Sequence, residues 1–447
     1  GISGIGMSGI AELMQDQGYY VQGSDISLND NSKRLKKKGI KFFLGHNSNN
    51  IKSIDAVVYS SAINNNNPEF KAALKNKIPL LSRADMLGEL MKNKKSIAIA
   101  GSHGKTTTTS LVGEILNQAK LDPTIVNGGI INSLSKNNRY GKGKWMVVEA
   151  DESDGSFLKL PHQISIITNL DTEHMDYYKT KDNLIKSFKK FINMLPFYGT
   201  SIVCLDDKNL NFLVKKIKTR NIITYSIKNN NADVLIKEVI KKNTKTSFKL
   251  NVKNKNIINL NNFKFTINAL GNHNVLNGTA SIIASKIVGV RNTSINKALS
   301  NYIGVKRRFT YLGKKNEAFI YDDYAHHPTE IKATLDSAKT LKNEIVVVFQ
   351  PHRYTRTKIL MNNFVKVLSK IKNLIILETY SAGEKKIIGA TSKDIYNKVL
   401  KKNNKVVHLN NINNLNSLLY DYTYKKNTIV FMGAGSISNY AKIFYNS

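Results

Sequence analysis

Apolar residues recur along the chain in short runs that end in glycines, acids or arginines, and these runs alternate with helically spaced stretches. Such alternation predicts a mostly parallel sheet covered by helices. Near the start, Ile10, Leu13 and Met14 fall at helical spacing behind Gly4-Ile5-Gly6, and a short strand is predicted over 20–22 with Asp25 just beyond it. Another strand over 55–61 ends in Ser60 and Ser61, a helix follows over 83–92, and 92–95 makes a charged linker. The run 96–100 breaks into glycines and opens a helix near Lys105, with further strands predicted at 145–148, 164–168 and 201–205. Residues 226–268 are rich in β-branched residues, Lys and Asn without helical periodicity, which predicts an antiparallel accessory sheet. Helical spacing resumes over 275–288, and from 304 the strand pattern restarts at 318–321, 345–349, 374–377 and 428–431.

With 447 residues the chain exceeds one ordinary core, since a domain takes about 100–200 residues. The expected class is α/β with three domains. Residues 1–93 form a Rossmann-like amino-terminal domain, 94–303 a central P-loop ATPase-like parallel sheet with the accessory antiparallel sheet, and 304–447 a Rossmann-like carboxyl-terminal domain. The strand that should precede the first glycines is missing, which reads as a truncated amino terminus.

Composition changes this picture little. The net charge of +35 prompts a search for a nucleic-acid surface. Yet only nine of the 67 basic residues are Arg, while Lys and Asn are scattered through nearly every segment, so no dedicated nucleic-acid binding is expected. No apolar run reaches the roughly 18–20 residues that span a bilayer, so no membrane insertion is expected. A single cysteine, Cys204, read as a buried strand residue, and no export signal suit the cytoplasm.

The most informative stretch is Gly101-Ser102-His103-Gly104-Lys105-Thr106-Thr107. Backbone N–H groups in a glycine turn converge on one point, and the following helix aims its positive end there, so the natural occupant is phosphate. Lys105 would reach the β- and γ-phosphates and the Thr106 hydroxyl would ligate Mg²⁺. Ile99 stands where a full Walker A has its first glycine, so the loop is shorter than the standard form. Glu149, Asp151, Glu152 and Asp154 place four acids in six positions at a strand end, which a divalent cation would compensate and which otherwise is a solvated loop. The segment Thr168 to Asp176 repeats the pattern, with His174 between Glu173 and Asp176 as metal ligand or hydrogen-bonded bystander. Gly271 to Asn277 opens a helix, and its amide and imidazole groups read either as a base or ribose contact or as an N-cap cluster. Arg307, Arg308, Arg353 and Arg356 sit at strand ends as candidate anion clamps, with Asp322-Asp323-Tyr324-Ala325-His326-His327 near them in sequence. Gly4, Gly6 and Gly9 satisfy G-x-G-x-x-G, with Asp25 as the acid that follows such a turn.

Together GSHGKTTTT, EADESDGSF, TNLDTEHMDYY, GNHNVLN, GVKRRF, YDDYAHHPTE, QPHRYTRT and FMGAGSI, in this order over essentially the whole chain, resemble the Mur ligase family. Within it, GIGMSGIAELM, GSD and HMDYY resemble most the branch that adds L-alanine to UDP-N-acetylmuramate, ahead of the recycling branch that attaches a ready-made tripeptide. The resemblance implies ATP and Mg²⁺ as cofactors, UDP-N-acetylmuramate and L-alanine as substrates, an acyl-phosphate intermediate, and a monomer or weak homodimer. It further implies that Thr106 and Glu149 hold one Mg²⁺ and His174 a second, and that Asn274 and Asn277, with His273, face adenine. Arg308 and Asp323 would serve phosphate and ribose, and Arg353 and Arg356 the sugar-side carboxylate or the amino acid. Gly4, Gly6, Gly9, Asp25, Ser60 and Ser61 would hold the UDP moiety, although Ser3 stands where the family usually has another glycine. An NAD-dependent oxidoreductase built on the first glycines leaves Lys105, Thr106 and the acidic loops unexplained. A nonenzymatic ATP-driven switch is the other alternative.

Overall fold

The computed structural model describes residues 1–60, 62–134, 136–253, 260 and 263–447. The chain divides into two compact units. The first holds Gly1–Ile240, Lys245–Asn268 and Asn274–Ile303, and the second Lys241–Thr244, Ala269–His273 and Gly304–Ser447.

A ten-stranded sheet dominates the first unit. Its order runs Lys264–Ile267, Lys245–Val252, Val234–Lys242, Asn221–Ser226, Thr200–Cys204, Ile164–Ile167, Lys95–Ala100, Trp145–Glu149, Thr124–Ile131, Lys136–Arg139. The pairings from Val234–Lys242 across to Thr124–Ile131 are parallel, and Lys136–Arg139 closes that edge antiparallel. The central strands are continuous apolar runs because helices cover both faces; Ile97, Ala98, Ile99, Val147, Val148, Ile166 and Ile167 are fully buried. From Lys95–Ala100 the chain builds first on the side of Trp145–Glu149 and then on the side of Ile164–Ile167, which makes the carboxyl end of Lys95–Ala100 a topological switch point.

Two expectations are corrected here. The accessory segment is not a separate sheet: Val234–Lys242 joins parallel to Asn221–Ser226 and so continues the large sheet, whose edge strand Lys264–Ile267 pairs antiparallel with Lys245–Val252. Part of that expected segment, 254–259, 261 and 262, lies outside the described residues. The early strand runs Gln22–Asp25, so Asp25 ends the strand instead of following it. It pairs parallel with Lys41–Leu44, as Val57–Tyr59 does with Leu80–Ser82.

In the second unit six strands run Thr310–Lys315, Ala318–Asp323, Asn427–Met432, Glu344–Phe349, Asn373–Leu377, Val406–Leu409, parallel except for the first pair. Apolar clusters on both sheet faces, around Phe349 and Phe364 and around Phe431 and Phe444, cover it. The expected mixed α/β, parallel-rich class is thus met. Cys204 is buried at the end of Thr200–Cys204. No helix among the described residues is long and apolar enough to cross a membrane.

One buried titratable group bears on stability. His162 stacks on Phe191 at 4.2 Å, on the helix Lys181–Asn193, and its Nδ1 lies 2.8 Å from the Leu160 carbonyl oxygen. Burial pulls its pKa from 6.5 down to about 4. The folded state therefore resists protonation: the contribution is intact above pH 6.5 and is lost as pH falls through 4. Urea unfolding followed by Trp145 fluorescence should show a smaller loss of stability between pH 7 and pH 4 in His162→Phe than in the wild type, by about 3 kcal/mol. Equal losses would show that His162 does not set this acid sensitivity.

Candidate active site

The apolar strand Lys95–Ala100 delivers the glycine turn to the carboxyl edge of the sheet, and the helix Lys105–Gln118 starts from it. Gly101 has φ +130° and Gly104 φ +84°, values that favour glycine. The turn is stitched to the next strand end. His103 N donates to Asn169 Oδ1 at 2.8 Å, Asn169 Nδ2 donates to His103 O at 2.8 Å, and Thr168 Oγ1 donates to the same carbonyl at 2.6 Å. Ser102 N donates to Asn169 O, and Ser102 Oγ accepts from Asp171 N. His103 Nε2 lies 3.3 Å from Asp171 Oδ2. Gly104 caps the helix without a side-chain bond, and Thr107 follows half-buried in its first turn.

Lys105 Nζ donates to Gly101 O at 2.6 Å and lies 2.8 Å from Glu152 Oε2. Burial alone would lower its pKa, but Glu152, Asp151 and Glu149 outweigh that and hold it well above the ordinary lysine value, so it carries full charge. Thr106 Oγ1 donates to Glu149 Oε1 at 3.1 Å, and Gly128 N donates to Glu149 Oε2 at 2.6 Å. The pairing Ile99 with Glu149 sets these two strand ends side by side. Next to them, ligand atoms of Glu152, Glu173 and His174 all lie within 4.8 Å of one another. His174 adopts left-handed φ +57°, ψ +36° ahead of the single turn Met175–Tyr178, a costly conformation for a non-glycine residue that aims its ring at these carboxylates. Hydroxyl and carboxylate oxygens with one imidazole fit a hard divalent cation beside phosphate. Lys186, Lys189 and Lys190 are exposed on Lys181–Asn193.

Asn277, on the helix Asn272–Val288, is buried against the glycine turn, because a Cβ built on Gly104 would lie 2.7 Å from its Oδ1. Asn274 is half-buried on the same helix. His273, in the second unit, packs on Gly271, and burial pulls its pKa to about 4.

Also in the second unit, Arg308 Nη1 lies 3.5 Å from Glu330 Oε1, and Asp323 is committed to the backbone, accepting from Phe309 N at 2.7 Å and Ala325 N at 2.6 Å. Burial pushes Asp323 up to about 6. Arg353 caps the helix Tyr354–Leu368 at φ +68°, and Arg356 Nη1 lies 3.2 Å from His352 Nδ1. These two arginines thus share one strand end with His352.

Among the amino-terminal glycines, Gly4 is the N-cap of the helix Ile5–Asp16, Gly6 abuts Arg83, and Gly9 packs on Asn138, whose Nδ2 would lie 1.5 Å from an added Cβ. Asp25 accepts from Ser3 N at 2.9 Å and from Ser3 Oγ at 2.5 Å, which ties the loop to the end of Gln22–Asp25. Ser60 follows the end of Val57–Tyr59; Ser61 lies outside the described residues. Sequence reasoning singled out neither Glu152 as the partner of Lys105 nor Asn169 as the clamp on the loop. The strand-end position of both was the available signal.

A glycine turn, a charged lysine and paired acids at the switch point of a parallel sheet define a phosphate-loop α/β protein. The chain belongs to the Mur ligase family. The profile "Mur ligase family, catalytic domain" matches residues 1–95, "Mur ligase middle domain" 99–285 and "Mur ligase, glutamate ligase domain" 307–435. A UDP-N-acetylmuramate–L-alanine ligase of Rickettsia bellii is 44% identical over 448 aligned positions, covering 99% of this chain and 94% of the relative. Among solved structures, a UDP-N-acetylmuramate-alanine ligase of Thermotoga maritima superposes with a TM-score of 0.82 at 26% identity, covering 100% of this chain and 97% of the other. A murein peptide ligase of Psychrobacter arcticus shares the fold, with a TM-score of 0.70 at 22% identity and coverage of 100% and 97%.

Proposed function

We propose that the chain is an ATP-dependent carboxylate–amine ligase that joins L-alanine to the lactyl carboxylate of UDP-N-acetylmuramate through an acyl phosphate, releasing ADP and phosphate. What carries the reading is the 44% identity to an L-alanine-adding relative over 99% of the chain. The charged Lys105 beside Glu149 and Thr106 supplies the matching site.

Two anions, a carboxylate and a triphosphate, must meet, so the site needs cation density more than a covalent nucleophile. Lys105 and the loop amides neutralise the phosphates. Thr106 and Glu149 would hold one Mg²⁺ and His174 a second, with Glu152 and Glu173 close enough to share in it. Mg²⁺ there would screen the charge that separates the two anions. Residues 94–303 bind ATP on this reading, with Asn274, Asn277 and His273 toward adenine. Residues 1–93 hold the UDP sugar through Gly4, Gly6, Gly9, Asp25, Ser60 and Ser61. Residues 304–447 contribute Arg308 and Asp323 toward phosphate and ribose, and Arg353 and Arg356 toward the amino acid or the sugar-side carboxylate. The enzyme works in the cytoplasm, as a monomer or weak homodimer.

Phosphate release should require UDP-N-acetylmuramate and L-alanine together with ATP and Mg²⁺. Release with the L-Ala-D-Glu-diaminopimelate tripeptide in place of L-alanine would move the chain to the recycling branch, and turnover with ATP alone would overturn the ligase reading.

A further inference from the structure

Arg83 is the first residue of the helix Arg83–Lys92, and its backbone is fixed by the capping box of Ser82 and Asp85. The parallel pairing of Val57–Tyr59 with Leu80–Ser82, Tyr59 opposite Ser82, sets Ser60 and Arg83 side by side where these strands end. From there the side chain runs along the first turn of Ile5–Asp16: a Cβ built on Gly6 would lie 3.1 Å from Arg83 Cδ and 3.2 Å from Nη1. A methyl group at position 6 would push the guanidinium aside by a few tenths of an ångström, so the glycine lets it lie close along the loop.

The Arg83 side chain is half-buried, and no hydrogen bond or ion pair engages it among the described residues. The carboxylate two residues on is committed elsewhere: Asp85 accepts from Ser82 and pairs with Lys159 at 2.9 Å. Three other arginines are matched by carboxylates: Arg34 meets Glu12 at 2.6 Å, Arg139 meets Asp122 at 2.5 Å and Arg308 meets Glu330 at 3.5 Å. A guanidinium partly withdrawn from water without a protein anion points to an anion brought by the ligand, and its planar fork suits a diphosphate.

We infer that Arg83 grips the diphosphate of the UDP sugar and thereby sets the preference of the amino-terminal glycine loop for a nucleoside diphosphate over a bare nucleoside. This rests on the proposal that residues 1–93 hold the UDP sugar. Arg83 is a binding residue: it acts on capture of the sugar nucleotide, and the ATP site owes nothing to it.

Calorimetric titration of the full chain with UDP and with uridine tests the inference. Wild type should bind UDP more tightly than uridine. Arg83→Ala should lose about tenfold to a hundredfold in UDP affinity, keep its uridine affinity, and raise the KM for UDP-N-acetylmuramate while leaving the KM for ATP unchanged. Arg83→Lys, which keeps the charge and the aliphatic stem but not the fork, should fall between, and it carries the test if the alanine variant melts early. UDP binding unchanged in both variants, or equal losses for UDP and uridine, would overturn the inference. A wild-type chain that ignores UDP would overturn the reading on which it rests, and so is told apart from a failure of Arg83 alone.

Discussion

Lys105→Ala should reduce substrate-dependent phosphate release by at least about a thousandfold while leaving UDP binding intact. The lysine bonds the glycine turn at Gly101 O, and the acids around it keep it charged. Removing it also uncovers Glu152, whose side chain is 1% exposed. Burial already pushes that carboxyl above its usual range, and without the lysine its main compensating charge is gone. Breaking a buried pair by deleting one partner typically costs about 3–5 kcal/mol, so the single variant should also melt earlier. Lys105→Ala combined with Glu152→Gln separates the two effects. The double variant should recover most of the melting temperature and none of the phosphate release. Activity retained in Lys105→Ala, or restored by Glu152→Gln, would count against a phosphate-binding role for Lys105.

Those two residues also show what the sequence could and could not convey. Lys105 was legible because an apolar run broken by glycines before Lys-Thr has few structural readings, and the run did become the buried strand Lys95–Ala100. Glu152 was visible only as one of four clustered acids. Its partner lies 47 residues away, and the direction of its side chain depends on how two parallel strands register. The strands Thr124–Ile131 and Lys136–Arg139 escaped notice for a local reason. One contains Asn127-Gly128-Gly129 and the other reads Lys-Asn-Asn-Arg, turn-like and polar compositions that only the pairing of Ile125 with Arg139 and Val126 with Asn138 holds extended. Once formed, they place Gly128 N on Glu149 and Asn138 on Gly9, so an illegible edge supports two legible motifs. Thr310–Lys315 and Val406–Leu409 are edge strands with exposed positions and lacked a long apolar run in the same way. Arg83 looked like any helix-start arginine, since nothing local shows that its neighbours are already paired.

Gly101→Ala should be the most damaging change of a single methyl group in the loop. A φ of +130° lies where L-residues are rarely found, a strain of about 1–3 kcal/mol before any contact is counted. The added Cβ would then lie 2.3 Å from Thr168 Oγ1, 2.9 Å from Asn169 O and 3.1 Å from Asn169 N. Thr168→Ala would remove the first of these atoms, but the other two are backbone and cannot step aside without moving the strand end that clamps the loop. Relief must therefore come from displacement of the loop, and a shift of about 1 Å at a phosphate site costs about a hundredfold in rate. Gly104→Ala differs in kind. Its φ of +84°, ψ −4° is the milder left-handed region, and the clash at 2.7 Å is with the tip of Asn277, a side chain. Alanine at 104 should cost less than alanine at 101, and less again when introduced into Asn277→Ala than into the wild type, a coupling that a double-mutant cycle on the KM for ATP reads directly. Alanine at 101 should remain as harmful with Thr168→Ala as a backbone clash dictates. Full recovery in Gly101→Ala with Thr168→Ala would show that the loop is held by side chains alone, and not by the Asn169 backbone, whose carbonyl accepts from Ser102 N.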